Sequence, residues 1–330
     1  MSVAKMLDVA VVGETVADLI VELPRRFVHD PLTRAAITLP LGEKIAVEKY
    51  TLVPGGSGAN VAVALKKLGL KIHLATFFGN DKLADNLKEE LEKAAIPTDA
   101  LETDQPTPIS VILSASGNRT ILSSHPREEK FGQLKLPDSR FIYLGPVNSE
   151  EVLLAVVEHQ AKSSARLCLN PGRELIEEHD RVLMQVVRSA KILILNREEA
   201  LSLIRAPRHL DNAELMSSLL RLGPKIVVLT LGADGALLGT EDLRLETPAL
   251  LDRDQIVNTT GAGDAFAAAL LAGYLGDEGN DNSREVLERA LKMATLNSAG
   301  VISHLGAQTG QLAAAEIERD LGKVKLKTDE

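Results

Sequence analysis

The chain reads as an α/β protein with a mostly parallel central sheet flanked by helices and a small β-sheet lid. Three observations predict this. Short apolar runs alternate with amphipathic stretches at helical spacing over most of the 330 residues, the pattern of strand–helix units covered on both faces. Two β-rich, proline-broken interruptions, about 19–53 and 106–124, depart from that alternation. Glycine-rich or polar stretches follow several of the apolar runs, where open α/β sheets bind ligands.

Residues 8–12 (DVAVV) make a buried first strand ending at Gly13. Residues 19–53 carry apolar alternation broken by Pro24, Pro31, Pro40 and Gly42, which predicts short strands and no long helix. Pro54-Gly55-Gly56-Ser57-Gly58-Ala59-Asn60 opens a helix that closes at Gly69. A strand at 72–76 and a helix from Asp81 to Ala95 follow. Ile109–Leu113 and Thr120–Leu122, around Ser116-Gly117-Asn118, predict a hairpin. Alternation then resumes. Strands are expected at 141–144, 166–169, 191–195 and 225–230. Helices are expected near 149–162, 174–189, 197–204, 211–222, 262–275, 284–300 and 313–321. Both interruptions hold too little apolar material to fold alone, so residues 1–330 read as a single α/β domain carrying a lid.

Composition narrows the function. A net charge of −9 and a pI near 5.4 lack the basic footprint that nucleic acid requires. No run of eighteen apolar residues occurs, so no membrane span is expected. The start, MSVAKMLDVAVVGE, reads as a strand rather than a signal peptide. The one cysteine, Cys168, lies in an apolar run and reads as a buried thiol, which fits a cytoplasmic protein. The seven histidines show no ligand spacing. There is no G-x-x-x-x-G-K-[ST], H-E-x-x-H, C-x-x-C or G-x-S-x-G.

Asn258-Thr-Thr-Gly261-Ala262-Gly263-Asp264-Ala-Phe266 precedes an apolar helix ending at Gly276. The N–H groups of a helix's first turn have no intrahelical partner, and the dipole there favours an anion. Asp264 in that turn reads either as a dipole partner or as a base beside an anion site. Asn196 and Glu199 read either as ligand residues or as an N-cap with its capping-box acid. Asp18 and Asn60 have equally plain readings, as a loop cap and a first-turn residue.

Taken together, these stretches resemble a known family. Gly55-Gly56-Ser-Gly-Ala-Asn60-Val-Ala62 is similar to the N-terminal signature of the ribokinase-like (PfkB) carbohydrate kinases, and Asn258–Phe266 to their C-terminal signature. Asn196-Arg-Glu-Glu199 resembles the family's N-x-x-E, and Thr230-Leu-Gly232 its T-x-G. The match runs in the family's order to about residue 310. The resemblance implies a ribokinase-like fold and an ATP-dependent sugar kinase acting on a primary hydroxyl of a pentose or ketohexose. It implies Asp264 as the base and the N–H groups of Gly261, Ala262 and Gly263 as the anion site. Asp18, Gly55, Gly56 and Asn60 would hold the sugar. Asn196, Thr230 and Gly232 would meet ATP, with Asn297 bordering the adenine pocket. Asn196 and Glu199 would organise Mg²⁺ and its waters. A homodimer through the lid also fits the resemblance. A nucleoside kinase is the alternative acceptor class, but the lid stretches offer only Phe27 and Tyr50 as faces for a base. A non-catalytic sugar- or nucleotide-binding regulator on the same fold is the alternative of another kind, and the intact Gly-Ala-Gly-Asp speaks against it.

Three departures stand out. Val16 lies where ribokinase-type enzymes place a second polar sugar contact, and Ser57 where ribokinase has a lysine; both point away from ribose. Asn258 replaces an aspartate, which implies at most weak activation by a monovalent cation.

Overall fold

The computed structural model describes residues 6–29, 36–103, 105–115, 118–124, 135–178, 180–251, 255–276 and 283–328. The strands are β1 (Leu7–Val12), β2 (Val16–Glu22), β3 (Val28–His29), β4 (Ala36–Ile37), β5 (Lys49–Gly55), β6 (Ile72–Gly79), β7 (Thr98–Thr103), β8 (Ile109–Ala115), β9 (Asn118–Ser124) and β10 (Ser139–Leu144), then β11 (Arg166–Leu169), β12 (Ile192–Asn196), β13 (Ile226–Thr230), β14 (Ala236–Gly239), β15 (Arg244–Thr247) and β16 (Lys327–Thr328). The helices are α1 (Ser57–Lys67), α2 (Lys82–Lys93), α3 (Glu150–Lys162), α4 (Gly172–Glu178), α5 (Asp180–Ser189), α6 (Arg197–Leu203), α7 (Asn212–Leu220), α8 (Ala262–Leu275), α9 (Arg284–Ile302) and α10 (Ala314–Asp320).

Ten strands form the main sheet in the order β16-β15-β14-β13-β12-β11-β10-β1-β6-β7. From β7 to β13 every pairing is parallel, and β14 to β16 close that end antiparallel. Alternation along each strand sends side chains to opposite faces. Val9 and Val11 join a core under α1, α2, α8 and α9, whereas Val12 joins one under α3 to α7. Both faces are therefore covered, as parallel sheets require. No helix among the described residues is long and apolar enough to cross a membrane.

A separate four-stranded sheet runs β5-β2-β8-β9. It takes in both β-rich interruptions but begins at Val16 and reaches Gly55, beyond the expected 19–53. Pro54 sits in β5, an edge strand, where a missing N–H is tolerated. Ser116 and Gly117 of the expected hairpin turn lie outside the described residues.

The helix expected near 174–189 is described as α4 and α5, on either side of residue 179, which lies outside the described residues. One expectation needs correction. Strands β7, β15 and β16 were not foreseen. Each lies toward an end of the main sheet, and their sequences (TDALET, RLET, KT) lack the continuous apolar run of a central strand.

Candidate active site

Parallel strands put their carboxyl ends on one side, so the segments leaving β1, β10, β12 and β13 border a common edge of the sheet. Helices α1 and α8 also start there. Each has a glycine as N-cap and no side-chain cap: Gly56 for α1 and Gly261 for α8. Their first turns meet. Ser57 Oγ donates to Asp264 Oδ1 at 2.6 Å, and Asn60 Nδ2 donates to Asp264 Oδ2 at 2.8 Å. Asn60 is itself held, accepting at Oδ1 from Gln308 Nε2 at 3.2 Å and at its carbonyl from Gln311 Nε2 at 3.0 Å.

Burial pushes the Asp264 carboxyl above the usual range, against the pull of Ser57 and Asn60. Asp18, 5 % exposed, is raised to about 7, first by desolvation and then by repulsion from Asp264. A part-buried Asp264 held by two neutral donors and interacting with the buried Asp18 can exchange a proton with a hydroxyl near neutral pH. Gly55 makes room for this arrangement, because a Cβ there would overlap the Asp18 carboxylate.

Gly261 adopts φ 77°, and a Cβ on it would run into Ala307. A Cβ on Gly263 would meet nothing within 4 Å. Ala262 N–H reaches the Thr259 carbonyl at 3.3 Å, whereas the N–H groups of Gly261 and Gly263 find no backbone acceptor among the described residues. Donors free at an uncapped helix start, beside open space, suit an anion.

The second group of residues surrounds a cavity of about 1510 Å³ lined by Asn196, Glu199, Thr230 and Gly232, among others. Asn196 ends β12 and caps α6. Its Oδ1 accepts from Glu199 N at 2.8 Å, and Glu199 Oε2 accepts from Asn196 N at 2.9 Å. This is a reciprocal capping box. Glu199 is also raised by burial. No cluster of three or more His, Cys, Asp or Glu side chains that could hold a metal occurs among the described residues. A single half-buried carboxylate at the cavity wall fits Mg²⁺, which keeps waters and substrate phosphates as ligands.

Asn297 does not border this cavity. It is fully buried, its Nδ2 donates to the Ala265 carbonyl at 2.9 Å, and its Oδ1 accepts from Leu312 N at 2.8 Å. It ties α8 to the segment before α10, which overturns its placement at the adenine pocket. Tyr50 departs similarly. The pairing Asp18↔Val53 and Val21↔Tyr50 puts Tyr50 on the opposite face of the small sheet from Asp18, where it is 71 % exposed.

Sequence reasoning missed Gln308, Gln311 and Tyr143. The glutamines follow the last motif, and only the fold brings them to Asn60. Tyr143 sits in the apolar run FIYL and reads as core. Its hydroxyl is buried beside Ser57.

Residues 6–314 match the pfkB family of carbohydrate kinases. The chain is 27% identical over 299 residues to a cytidine kinase of Thermococcus kodakarensis, covering 86% of this chain and 97% of that one. It is 28% identical over 320 residues to a deoxyribokinase of Salmonella typhi, covering 92% and 95%. Among solved structures, an Arabidopsis thaliana ribokinase complexed with ribose and ATP superposes with a TM-score of 0.75 at 20% identity, over 96% of this chain and 99% of that one. A match across 6–314, on a fold whose signature residues converge on one carboxylate, places the chain in the pfkB carbohydrate kinase family.

Proposed function

We propose that this chain is an ATP-dependent kinase that transfers the γ-phosphoryl group to a primary hydroxyl of a small carbohydrate, a pentose or ketohexose. The observation that carries the reading is Asp264: a part-buried carboxylate in the first turn of a helix with a glycine N-cap, held by Ser57 and Asn60 and adjoining free N–H donors. Asp264 takes the acceptor proton as its oxygen attacks phosphorus. The N–H groups of Gly261, Ala262 and Gly263 balance charge on the transferred group, a large part of catalysis in such reactions. Asp18 and Asn60 orient acceptor hydroxyls, with Gly55 and Gly56 letting the sugar lie against backbone. Thr230, Gly232 and Asn196 meet the nucleotide, and Glu199 would hold Mg²⁺ through water. Bound there, Mg²⁺ supplies charge neutralisation of the phosphates.

The small sheet acts as a lid within one domain of 1–330. Its outer face, opposite Asp18, carries Leu19, Val21, Leu52, Val111, Leu113 and Leu122, all half-buried or exposed. A continuous apolar sheet face calls for a partner, and a second copy presenting the same face closes a two-fold dimer. Light scattering on the purified chain and on Leu122→Glu tests this; a monomeric parent overturns it. A buried single thiol fits a cytoplasmic setting.

A nucleoside acceptor is the second reading, favoured by the cytidine kinase relative. Tyr50 on the outer face removes one of two lid aromatics that would stack on a base in this chain's own site. The deciding experiment is ADP release with Mg·ATP over pentoses, ketohexoses and nucleosides. A sugar should give the highest kcat/KM. Nucleosides ahead of every sugar by tenfold would install the second reading, and no turnover with any acceptor would leave a binding protein.

A further inference from the structure

Asn60 is 3 % exposed, and its amide has two orientations of nearly equal shape, related by a half-turn. Its neighbours choose between them. An ionised carboxylate only accepts, so Asp264 Oδ2 takes the Asn60 Nδ2 side at 2.8 Å. The amide oxygen is thereby sent the other way, where, being buried, it needs a donor. Gln308 Nε2 supplies that donor at 3.2 Å. The segment around Gln308 is built into the site on three sides. Gln311 Nε2 donates to the Asn60 carbonyl at 3.0 Å and to the Ala307 carbonyl at 3.3 Å. Ala307 lies against Gly261, where an added Cβ would run into it, and a Cβ on Gly306 would lie 4.0 Å from Val53 Cγ2. One loop therefore adjoins the residue that holds the carboxylate, the anion turn and the small sheet.

We propose that Gln308 is a positioning residue for Asp264: by holding the Asn60 oxygen it fixes the polarity of that amide. Asn60 then keeps its N–H groups toward the carboxylate and the acceptor hydroxyl. Gln308 acts through Asn60 and exchanges no proton; the acceptor proton goes to Asp264 as the new O–P bond forms. Without this donor the Asn60 oxygen is buried and unpaired, and any turn that relieves it takes N–H away from the carboxylate. The inference rests on Asp264 being the base.

The test compares Gln308→Met, which keeps the length and lacks a donor, with Gln308→Glu, whose side chain donates only when protonated. The acceptor is whichever of D-ribose, 2-deoxy-D-ribose, D-fructose and cytidine the parent phosphorylates fastest. At pH 8, Gln308→Met should lower the acceptor kcat/KM about tenfold, the cost of one unpaired buried atom, with ATP KM within about twofold. Gln308→Glu should be at least as impaired there, because its carboxylate faces an amide oxygen. As pH falls from 8 to 5, its rate relative to the parent should climb, since the protonated acid donates as glutamine does. The Gln308→Met ratio should stay level or fall over that range, because the bond from Asn60 that favours ionised Asp264 is weakened. The other titratable groups near this segment are Asp264, Asp18, Lys67, which donates to the Gln311 carbonyl, and His304, beside Gly310. Parent and variants share all four, so the ratios isolate position 308. Gln308→Met within about twofold of the parent, or a Gln308→Glu ratio that stays flat or falls, would overturn the proposal. Loss of turnover in Asp264→Asn is the separate check on the base itself.

Discussion

Helices α6 and α8 both begin at the carboxyl edge of the main sheet, and their N-termini are built in opposite ways. At α6, Asn196 and Glu199 satisfy each other's backbone N–H groups. At α8, the N-cap is Gly261, no side chain caps the turn, and the N–H groups of Gly261 and Gly263 are left without backbone acceptors among the described residues. A capped helix has used its donors and can offer a ligand mainly the outward faces of its side chains. A glycine N-cap keeps those donors for an anion, at a cost in stability of about a few tenths of a kcal/mol. Elsewhere α2, α3, α7 and α9 are capped by Asp81, Ser149, Asp211 and Ser283. Helix α10 also lacks a side-chain cap, at Ala313, but α1 and α8 are the pair that starts at glycine and holds Asp264.

The sharpest way to break this contrast is at α8. Asp264→Asn preserves shape and removes the base, so kcat should fall by roughly 10²–10⁴-fold while ATP binding by calorimetry is retained. A few-fold change would mean that Asp264 only complements the dipole. Gly261→Ala comes next. An alanine at φ 77° with its Cβ against Ala307 must shift the turn that aims the N–H groups. Turnover should drop on the order of 10²–10³-fold, as when one preorganised donor is lost. Unchanged single-turnover rates would show that these donors do not meet the transferred group.

That contrast was partly legible before the fold was known. Gly-Ala-Gly-Asp ahead of an apolar run announces an uncapped helix start, and α8 spans Ala262–Leu275 as its periodicity indicates. Asn-x-x-Glu announces a capping box equally well, and the box is there. What could not be read is long-range. The Ser57–Asp264 and Asn60–Asp264 bonds join residues 207 and 204 positions apart, and Gln308 reaches Asn60 across 248. The resemblance alone puts Asn297 at the adenine pocket, whereas burial and two hydrogen bonds make it a strut. Tyr143 was hidden because its apolar strand run conceals a hydroxyl that the fold brings beside Ser57.

The carboxylate at Asp18 supplies a stability test of the same region. Its pKa rises from 3.8 unfolded to about 7 in the fold, so the fold favours the protonated form. The associated stability is fully present below about pH 4 and is lost as pH rises through about 7, up to a limit on the order of 4 kcal/mol. Chemical denaturation of the ligand-free protein should show that fall, and Asp18→Asn should flatten it. A parent whose stability rises between pH 5 and 8, with no change in Asp18→Asn, would show that Asp18 is not held desolvated. At α6 the effect is smaller. Asn196→Ala removes a cap and should cost about 1 kcal/mol, seen as a lowered Tm. Glu199→Gln should also raise the Mg²⁺ concentration needed for half-maximal turnover. A lowered Tm with an unmoved Mg²⁺ profile would leave Glu199 as a cap alone.

The smallest effect is expected just upstream of α8, at Asn258. This side chain is 4 % exposed. Its Oδ1 accepts from Thr260 N at 2.6 Å, and its backbone N–H donates to the Ile302 carbonyl at 3.1 Å. The amide oxygen is thereby used inside the turn that leads to Gly261, and it carries no formal charge to draw a cation. Oxygen ligands bind hard cations more tightly as their charge count rises. Turnover in K⁺ and in Na⁺ at equal ionic strength should therefore agree within about twofold, an electrostatic difference well under 1 kcal/mol. Asn258→Asp can keep the bond to Thr260 N and adds one charge, so it should make turnover more responsive to K⁺. A parent activated tenfold by K⁺ would show that backbone carbonyls alone build a cation site here. The anion-binding turn of α8 would then depend on an ion for part of its field.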